Sequence, residues 1–356
     1  MRIALTHAYS WPEVRRGAER IIEEQSRALA ERGHDVTVFT AGTRAGRRQE
    51  DGVTFVRFRR LFTSENRHEA EFAWRLAPRL VTARFDAVHG LGPRDCLTAV
   101  RTERIRGHRS VYTNLGIPHR ASWENRPDGA AHDAVVRGVD VYGCMSRHAL
   151  AVLDDEYGRQ GALTPGGVNF DRFQPAEKRE TAPTVLFSGA LDEPRKGARQ
   201  LIEAVGLLGE TEPELKLWLS GPGDADALLR SVTPAARDRV EVLPLGDPQA
   251  QQERYGRAWV TALPSKWDSF GMVIVESLAC GTPVVTSTHA ALPELVSVGE
   301  TGALCDPDDP ASIAVALGDA LALSQRAGIA DACRQSVRPY DWRTGVAPLL
   351  EDLYEG

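Results

Sequence analysis

The chain has 356 residues, 42% hydrophobic and 26% charged, with a formal net charge of −6. That length is enough for two ordinary domains, each with its own core. The acidic balance argues against a nucleic-acid binder, which carries a basic excess. No stretch approaches the roughly 18 uninterrupted apolar residues of a membrane span.

Ile3 to Thr6 reads as a buried strand rather than a leader, followed by a loop to Gly17. Ala18, Ile21, Ile22, Ala28 and Leu29 then recur at helical spacing, with Glu19 and Glu23 early and Arg27 and Arg32 late. That charge order suits the helix dipole, and Gly33 is a fitting C-cap. Val36 to Phe39 is the next strand, and a strand–helix–strand unit of this size implies parallel pairing. Further strands are expected at Val53 to Phe58, Ala87 to His89, Val111 to Thr113, Val139 to Cys144 and Leu163-Thr164. The arginines between Arg57 and Arg84, interleaved with Phe62, Phe72 and Trp74, read as a solvated helix or ligand-site wall in preference to a membrane-facing surface. Pro78 is expected to interrupt that helix.

The Pro/Gly-rich stretch from Pro165 to Pro175 reads as a linker. After it the alternation restarts: strand Thr184 to Ser188, helix Ala198 to Leu208, then strands Leu215 to Ser220, Val240 to Leu243, Trp259 to Leu263 and Val284 to Ser287. The fold class is therefore α/β, with two doubly wound domains and a ligand cleft expected between their strand ends. Cys96, Cys144, Cys280, Cys305 and Cys333 are scattered without paired or zinc spacing. With no apparent signal peptide, reduced thiols and a cytoplasmic location are expected.

The most informative segment runs from Asp268 through Phe270, Gly271, Met272 and Val273 to Glu276, then Gly281-Thr282-Pro283-Val284-Val285. It reads as an acid in a loop, a glycine at a helix start, and a second acid inside an apolar helix. Two such carboxylates can hold different hydroxyls of one polar ligand, while the free amides of the first helical turn receive a phosphate. A buried carboxylate at Glu276 requires a partner, and a sugar diol is a suitable one.

This segment resembles family 4 of the glycosyltransferases, whose hallmark is an acid, seven residues, then Glu, with Phe-Gly after the first acid and Gly-x-Pro-Val-Val after the second. The first acid here is Asp268, where Glu is usual. The resemblance implies the GT-B architecture: an acceptor-binding domain over residues 1–170, a donor domain over 178–337, and residues 338–356 crossing back to the first. It implies that Glu276 holds the ribose, Asp268 the transferred sugar, and the amides near Phe270, Gly271, Met272 and Val273 the diphosphate. Lys196, in Pro194-Arg195-Lys196-Gly197, matches the family's diphosphate lysine, while Ala190 stands at its arginine and Arg195 offers a neighbouring charge. Cations there stabilise a leaving group as charge builds on it. Gly221, in Ser220-Gly221-Pro222-Gly223, resembles the turn near the nucleotide, and Leu245 the segment passing the base.

In the first half only Gly17 survives of the family's Gly-Gly loop, with Arg16 at the other glycine. The usual acceptor-side histidine is Leu115 here, which leaves Asn114 and His119 as substitutes. Asp224-x-Asp226 and Asp306-x-Asp308 mimic metal ligands but sit in a loop and a turn, and no metal or cofactor is expected. The expected activity is retaining transfer from a UDP- or GDP-sugar to a small polar or natural-product acceptor. Two alternatives stay open: a nucleotide-sugar epimerase on the same fold, and a nucleotide-sugar-binding subunit that has lost transfer.

Overall fold

The computed structural model describes residues 1–14, 17–245 and 248–356. The chain divides into two units, Met1–Gly167 with Trp342–Gly356, and Val168–Asp341. In the first unit the strands are β1 (Arg2–Thr6), β2 (Asp35–Gly42), β3 (Gly46–Glu50), β4 (Val53–Arg59), β5 (Ala87–Gly90), β6 (Arg109–Asn114), β7 (Val141–Cys144) and β8 (Ala162–Leu163). The helices among them are α1 (Gly17–Glu31), α2 (Glu65–Thr82), α3 (Pro93–Arg106), α4 (Arg120–Trp123), α5 (Gly129–Gly138) and α6 (Arg147–Tyr157).

The strands form one eight-stranded sheet in the order β3-β4-β2-β1-β5-β6-β7-β8. Its pairings are parallel except β3 with β4. Central strands such as β5 and β7 are buried along their whole length, as helices on both faces of a parallel sheet require. β3 was not expected, because Gly46-Arg47-Arg48-Gln49-Glu50 carries no apolar alternation; it forms as a charged edge strand on β4. Helix α2 runs through Pro78 to Thr82 instead of breaking there. Pro78 leaves the Trp74 carbonyl without its donor, but Trp74 is 78% exposed, on the side of the helix where water can replace it. Phe72, Leu76 and Leu80 bury the opposite face and hold the helix to the sheet.

The second unit contains β9 (Thr184–Ser188), α7 (Ala198–Leu208), β10 (Lys216–Ser220), α8 (Ala225–Arg230), α9 (Pro234–Arg237), β11 (Val240–Val242), α10 (Pro248–Arg257) and β12 (Val260–Leu263). It continues with α11 (Met272–Ala279), β13 (Val284–Ser287), β14 (Gly302–Cys305), α12 (Pro310–Ser324) and α13 (Ile329–Ser336). The six strands are all parallel, in the order β11-β10-β9-β12-β13-β14. From β9 the chain winds outward through β10 and β11, then returns to β12 on the other side of β9. The winding therefore reverses between β9 and β12, and a ligand crevice opens outside the strand ends at such a point.

The segment expected to be a linker folds into the second unit from Val168 onward. Val168 donates to the Tyr340 carbonyl at 2.8 Å, and Phe170 and Phe173 are buried. Apolar side chains of that size do not stay in a solvated connection. At the other end, Arg338 stacks on Phe170 and Tyr340 packs edge-on against Phe270, so the return to the first unit begins only at Trp342. There α14 (Ala347–Glu355) is fixed by Tyr354, whose hydroxyl lies 2.8 Å from His89 Nδ1 and 3.1 Å from Gln25 Nε2. Glu351 adds an ion pair with Arg32 at 2.6 Å.

Candidate active site

The loops leaving β9 and β12 meet at the reversal point. The first ends in the short turn Pro194–Lys196 and the second carries Asp268. Lys196 Nζ donates to Asp268 Oδ2 at 2.6 Å, and Arg195 Nη1 lies 3.8 Å from the same oxygen. Arg195 is held by stacking on Trp267 at 4.4 Å, by donating to the Trp267 carbonyl at 3.1 Å, and by pairing with Glu193 at 2.6 Å. The two cations predicted from Pro-Arg-Lys-Gly thus converge on the first motif acid. The Lys196 and Asp268 side chains are only 16% and 17% exposed, so their pairing is less screened than a surface ion pair.

Asp268 does not cap the following helix. The N-cap of α11 is Gly271 at φ 106°, which has no side chain to cap the first turn. A Cβ at residue 271 would lie 2.7 Å from Leu292 Cδ2, so this entry into the helix demands glycine. Amides that open a helix behind a glycine N-cap are an arrangement that can receive an anion. Phe270 is 3% exposed and packs edge-on against Tyr340 at 5.3 Å, so its ring is core and only its backbone faces the loop. Met272 and Val273 are half-buried.

One turn further, Glu276 is 2% exposed, and its Oε2 accepts from the Tyr255 hydroxyl at 2.9 Å. Tyr255 begins a chain of polar contacts that the motif search missed. Its hydroxyl is 3.3 Å from Ser188 Oγ, which also accepts from Gln251 Nε2 at 3.1 Å. Ser220 Oγ donates to Gln251 Oε1 at 2.8 Å, and Arg254 Nη1 donates to that same Ser220 oxygen at 2.8 Å. Arg254 Nη2 donates in turn to the Pro244 carbonyl at 2.7 Å, beside the exposed Leu245. Gln251, Arg254 and Tyr255 share one face of α10 by their i, i+3, i+4 spacing, the one sequence signal that marks them. Gly221 lies in the adjoining turn, where a Cβ would sit 1.8 Å from the Gly189 carbonyl oxygen; the two turns touch backbone to backbone. The second motif acid, both glycine turns and the segment before Leu245 are thus tied together.

In the first unit the expected residues are less concentrated. Gly17 starts α1, while Arg16 lies outside the described residues. Asn114 holds its own turn: Nδ2 donates to the Tyr142 hydroxyl at 2.9 Å and Oδ1 accepts from the Gly116 amide at 2.9 Å. His119 Nδ1 lies 2.7 Å from Glu156 Oε1, so it too braces its loop. At the C-terminal end of β1 the structure adds polar residues that the sequence did not flag. His7 Nε2 is 3.3 Å from the fully buried Glu19, and Thr6 donates to Asp95 at 2.7 Å. Burial pushes the Asp95 carboxyl up to about 6. The Asp-x-Asp pairs serve turns: Asp224 caps α8 by accepting from Ala227, and Asp306 accepts from the Asp308 amide. Among the described residues no group of three or more His, Cys, Asp or Glu is arranged to hold a metal ion. All five cysteines are free and buried.

Residues 15–172 match the family described as Glycosyltransferase Family 4, and residues 182–322 match Glycosyl transferases group 1. The chain is 32% identical over 236 residues to a phosphatidyl-myo-inositol mannosyltransferase of Mycobacterium tuberculosis, covering 63% of this chain and 60% of that protein. It therefore spans well under two thirds of that relative's length. A D-inositol 3-phosphate glycosyltransferase of Nocardiopsis dassonvillei is 27% identical, over 95% of this chain and 89% of that one. Among solved structures, sucrose-phosphate synthase from Thermosynechococcus elongatus aligns with a TM-score of 0.83 at 20% identity, covering 99% of this chain and 98% of the other. Anabaena HepE in complex with UDP aligns at 0.79 and 17% identity over the full length of both. These likenesses give the fold, the two-domain GT-B architecture. With a family 4 domain followed by a group 1 domain, the chain belongs to the family 4, group 1 glycosyltransferases.

Proposed function

We propose that the protein is a retaining glycosyltransferase that moves a sugar from a nucleoside diphosphate donor, UDP- or GDP-linked, to a hydroxyl of a small polar acceptor. The observation that carries this reading is the meeting of Lys196 and Asp268 immediately before α11, with Glu276 buried one turn inside it. Glu276 accepts the ribose hydroxyls, and the first amides of α11 with Lys196 hold the diphosphate. Asp268 orients the sugar while fixing the ammonium. In transfer the bond from the anomeric carbon to the diphosphate oxygen breaks, and a bond to the acceptor oxygen forms on the same face. The acceptor proton passes to a leaving phosphate oxygen. Negative charge grows on the diphosphate as the bond lengthens, so Lys196 and Arg195 favour the transition state over the bound donor. No metal or cofactor takes part in this scheme.

Support for the donor class comes from Anabaena HepE, whose structures contain UDP and UDP-glucose. Support for transfer comes from the mycobacterial and Nocardiopsis relatives, named as a mannosyltransferase and a glycosyltransferase. The test is thermal-shift and calorimetric titration with UDP, GDP and ADP, then with their sugars, followed by NMR of the anomeric linkage of any product. Binding of UDP or GDP and a retained anomer support the reading. Unchanged melting with all three nucleotides defeats it.

A further inference from the structure

We propose that the first unit binds a small ligand with an apolar body and one oxyanion, carboxylate or phosphate, in the cavity between α1 and the β3-β4-β2 edge of the sheet. The cavity holds about 230 Å³. For scale, a buried apolar cavity of about 150 Å³ admits benzene, so a ring with one polar substituent fits. Its floor is apolar: Ile22 from α1, Val38 from β2 and Phe55 from β4 all line it and are at least nine-tenths buried. The register pairs Val38 with Phe55 and Thr40 with Arg57, so these four side chains share one face of the sheet. Arg48 of β3, opposite Phe55, lies with its guanidinium 4.3 Å from the Phe55 ring. Ser10 and Trp11 line it from the loop after β1, and Gly46 and Arg47 from β3.

The walls carry more donors than acceptors. Glu23 accepts from Arg48 at 3.0 Å and lies 3.6 Å from Arg27. Beyond the lining, Glu13 accepts from Arg57 at 3.0 Å and from the Thr43 hydroxyl at 3.0 Å. Both carboxylates are thus committed, whereas each guanidinium has five N–H groups and retains some of them. Burial raises the Glu23 carboxyl above its ordinary value, against the pull of Arg27 and Arg48. Ser10 is only 6% exposed, and its Oγ has no hydrogen-bond partner among the described residues. An orphaned buried hydroxyl costs about 1–3 kcal/mol, and a ligand oxygen would relieve that. Donor-rich walls over an apolar floor select an oxyanion on an apolar body, and they disfavour a neutral polyol. Thr40 and Arg57 lie two residues before the C-terminal ends of β2 and β4, and Ser10 four residues after that of β1, near the rim where doubly wound sheets bind ligands. Assigning the occupant as the sugar acceptor rests on the transfer reading; the binding site itself does not.

The test is calorimetry on the whole protein with benzoate and phenyl phosphate, using benzyl alcohol and methyl glucoside as neutral controls. The variants are Arg57→Gln and Ser10→Leu, each checked for native circular dichroism and for unchanged UDP or GDP titration. The expected result is that at least one anion binds about tenfold or more tighter than both neutral probes. Arg57→Gln then weakens it at least about fivefold, and Ser10→Leu, which fills the cavity, abolishes it. Preference for benzoate or for phenyl phosphate decides between the two oxyanions. Equal binding of benzyl alcohol, tighter binding of methyl glucoside, no anion binding, or insensitivity to both variants overturns the proposal. Anion binding without any nucleotide binding keeps the site and sinks the transfer reading instead.

Discussion

Tyr255→Phe is the sharpest perturbation of the proposed donor site, because it removes one oxygen and leaves the ring in place. The lost hydroxyl donates to Glu276 Oε2 at 2.9 Å in a position only 2% exposed. A hydrogen bond to a carboxylate is worth about 1.5–3 kcal/mol, and removing this donor forfeits part of that. Tyr255 acts through Glu276 rather than on the nucleotide, so only part of the loss reaches binding. We expect nucleoside diphosphate affinity to fall about 3- to 10-fold, or roughly 0.7–1.4 kcal/mol. With the donor sugar, KM should rise while kcat changes little, as expected when ground-state and transition-state binding weaken together. The assay is calorimetry with UDP and GDP on the single variants Tyr255→Phe and Glu276→Gln and on the double variant. If the tyrosine works by positioning the acid, the cycle shows a coupling of about 1 kcal/mol. Additive losses, or an unchanged dissociation constant in a natively folded Tyr255→Phe protein, refute the reasoning.

Further outcomes follow from the same geometry. Lys196→Ala should lower kcat/KM about 100- to 1000-fold, as loss of a group that meets developing charge does, with a near-native circular dichroism spectrum; a loss under about threefold would remove Lys196 from the leaving-group role. Asp268→Asn should loosen Lys196 and lower kcat more than nucleotide affinity, which comparison of turnover with calorimetry reads directly. Asp95, held near 6 by burial, should make the first unit less stable as pH rises. A carboxyl raised from 3.8 to about 6 keeps its full contribution below the unfolded value and loses it as pH climbs through the folded one. Asp95→Asn should therefore gain on the wild type in urea melts between about pH 4 and pH 7, by roughly 2–3 kcal/mol at most; parallel curves at both ends would contradict this. Transfer should persist in excess EDTA.

The motif around α11 was visible in the sequence because its constraints are local. Gly271 must take a backbone conformation that other residues resist, and Lys196-Gly197 sits in a short turn, so each leaves its mark within a few residues. Tyr255, Gln251 and Arg254 left almost none. Their partners lie 21, 63 and 34 residues away on other elements, and only the packing of α10 beside β9 and β10 brings them together. β3 was missed because a charged edge strand needs no apolar alternation. The break expected at Pro78 did not occur because burial of Phe72, Leu76 and Leu80 outweighs one missing hydrogen bond on the wet side of the helix. Asn114 and His119, singled out in place of a missing histidine, bond Tyr142, Gly116 and Glu156, contacts that their loop sequences do not reveal.

A crystal structure with UDP or GDP bound would address the central claim most directly. The account predicts the diphosphate against the opening amides of α11 beside Lys196, with the ribose hydroxyls on Glu276. A nucleotide lying away from that helix, with Glu276 still bonded only within the protein, would contradict it.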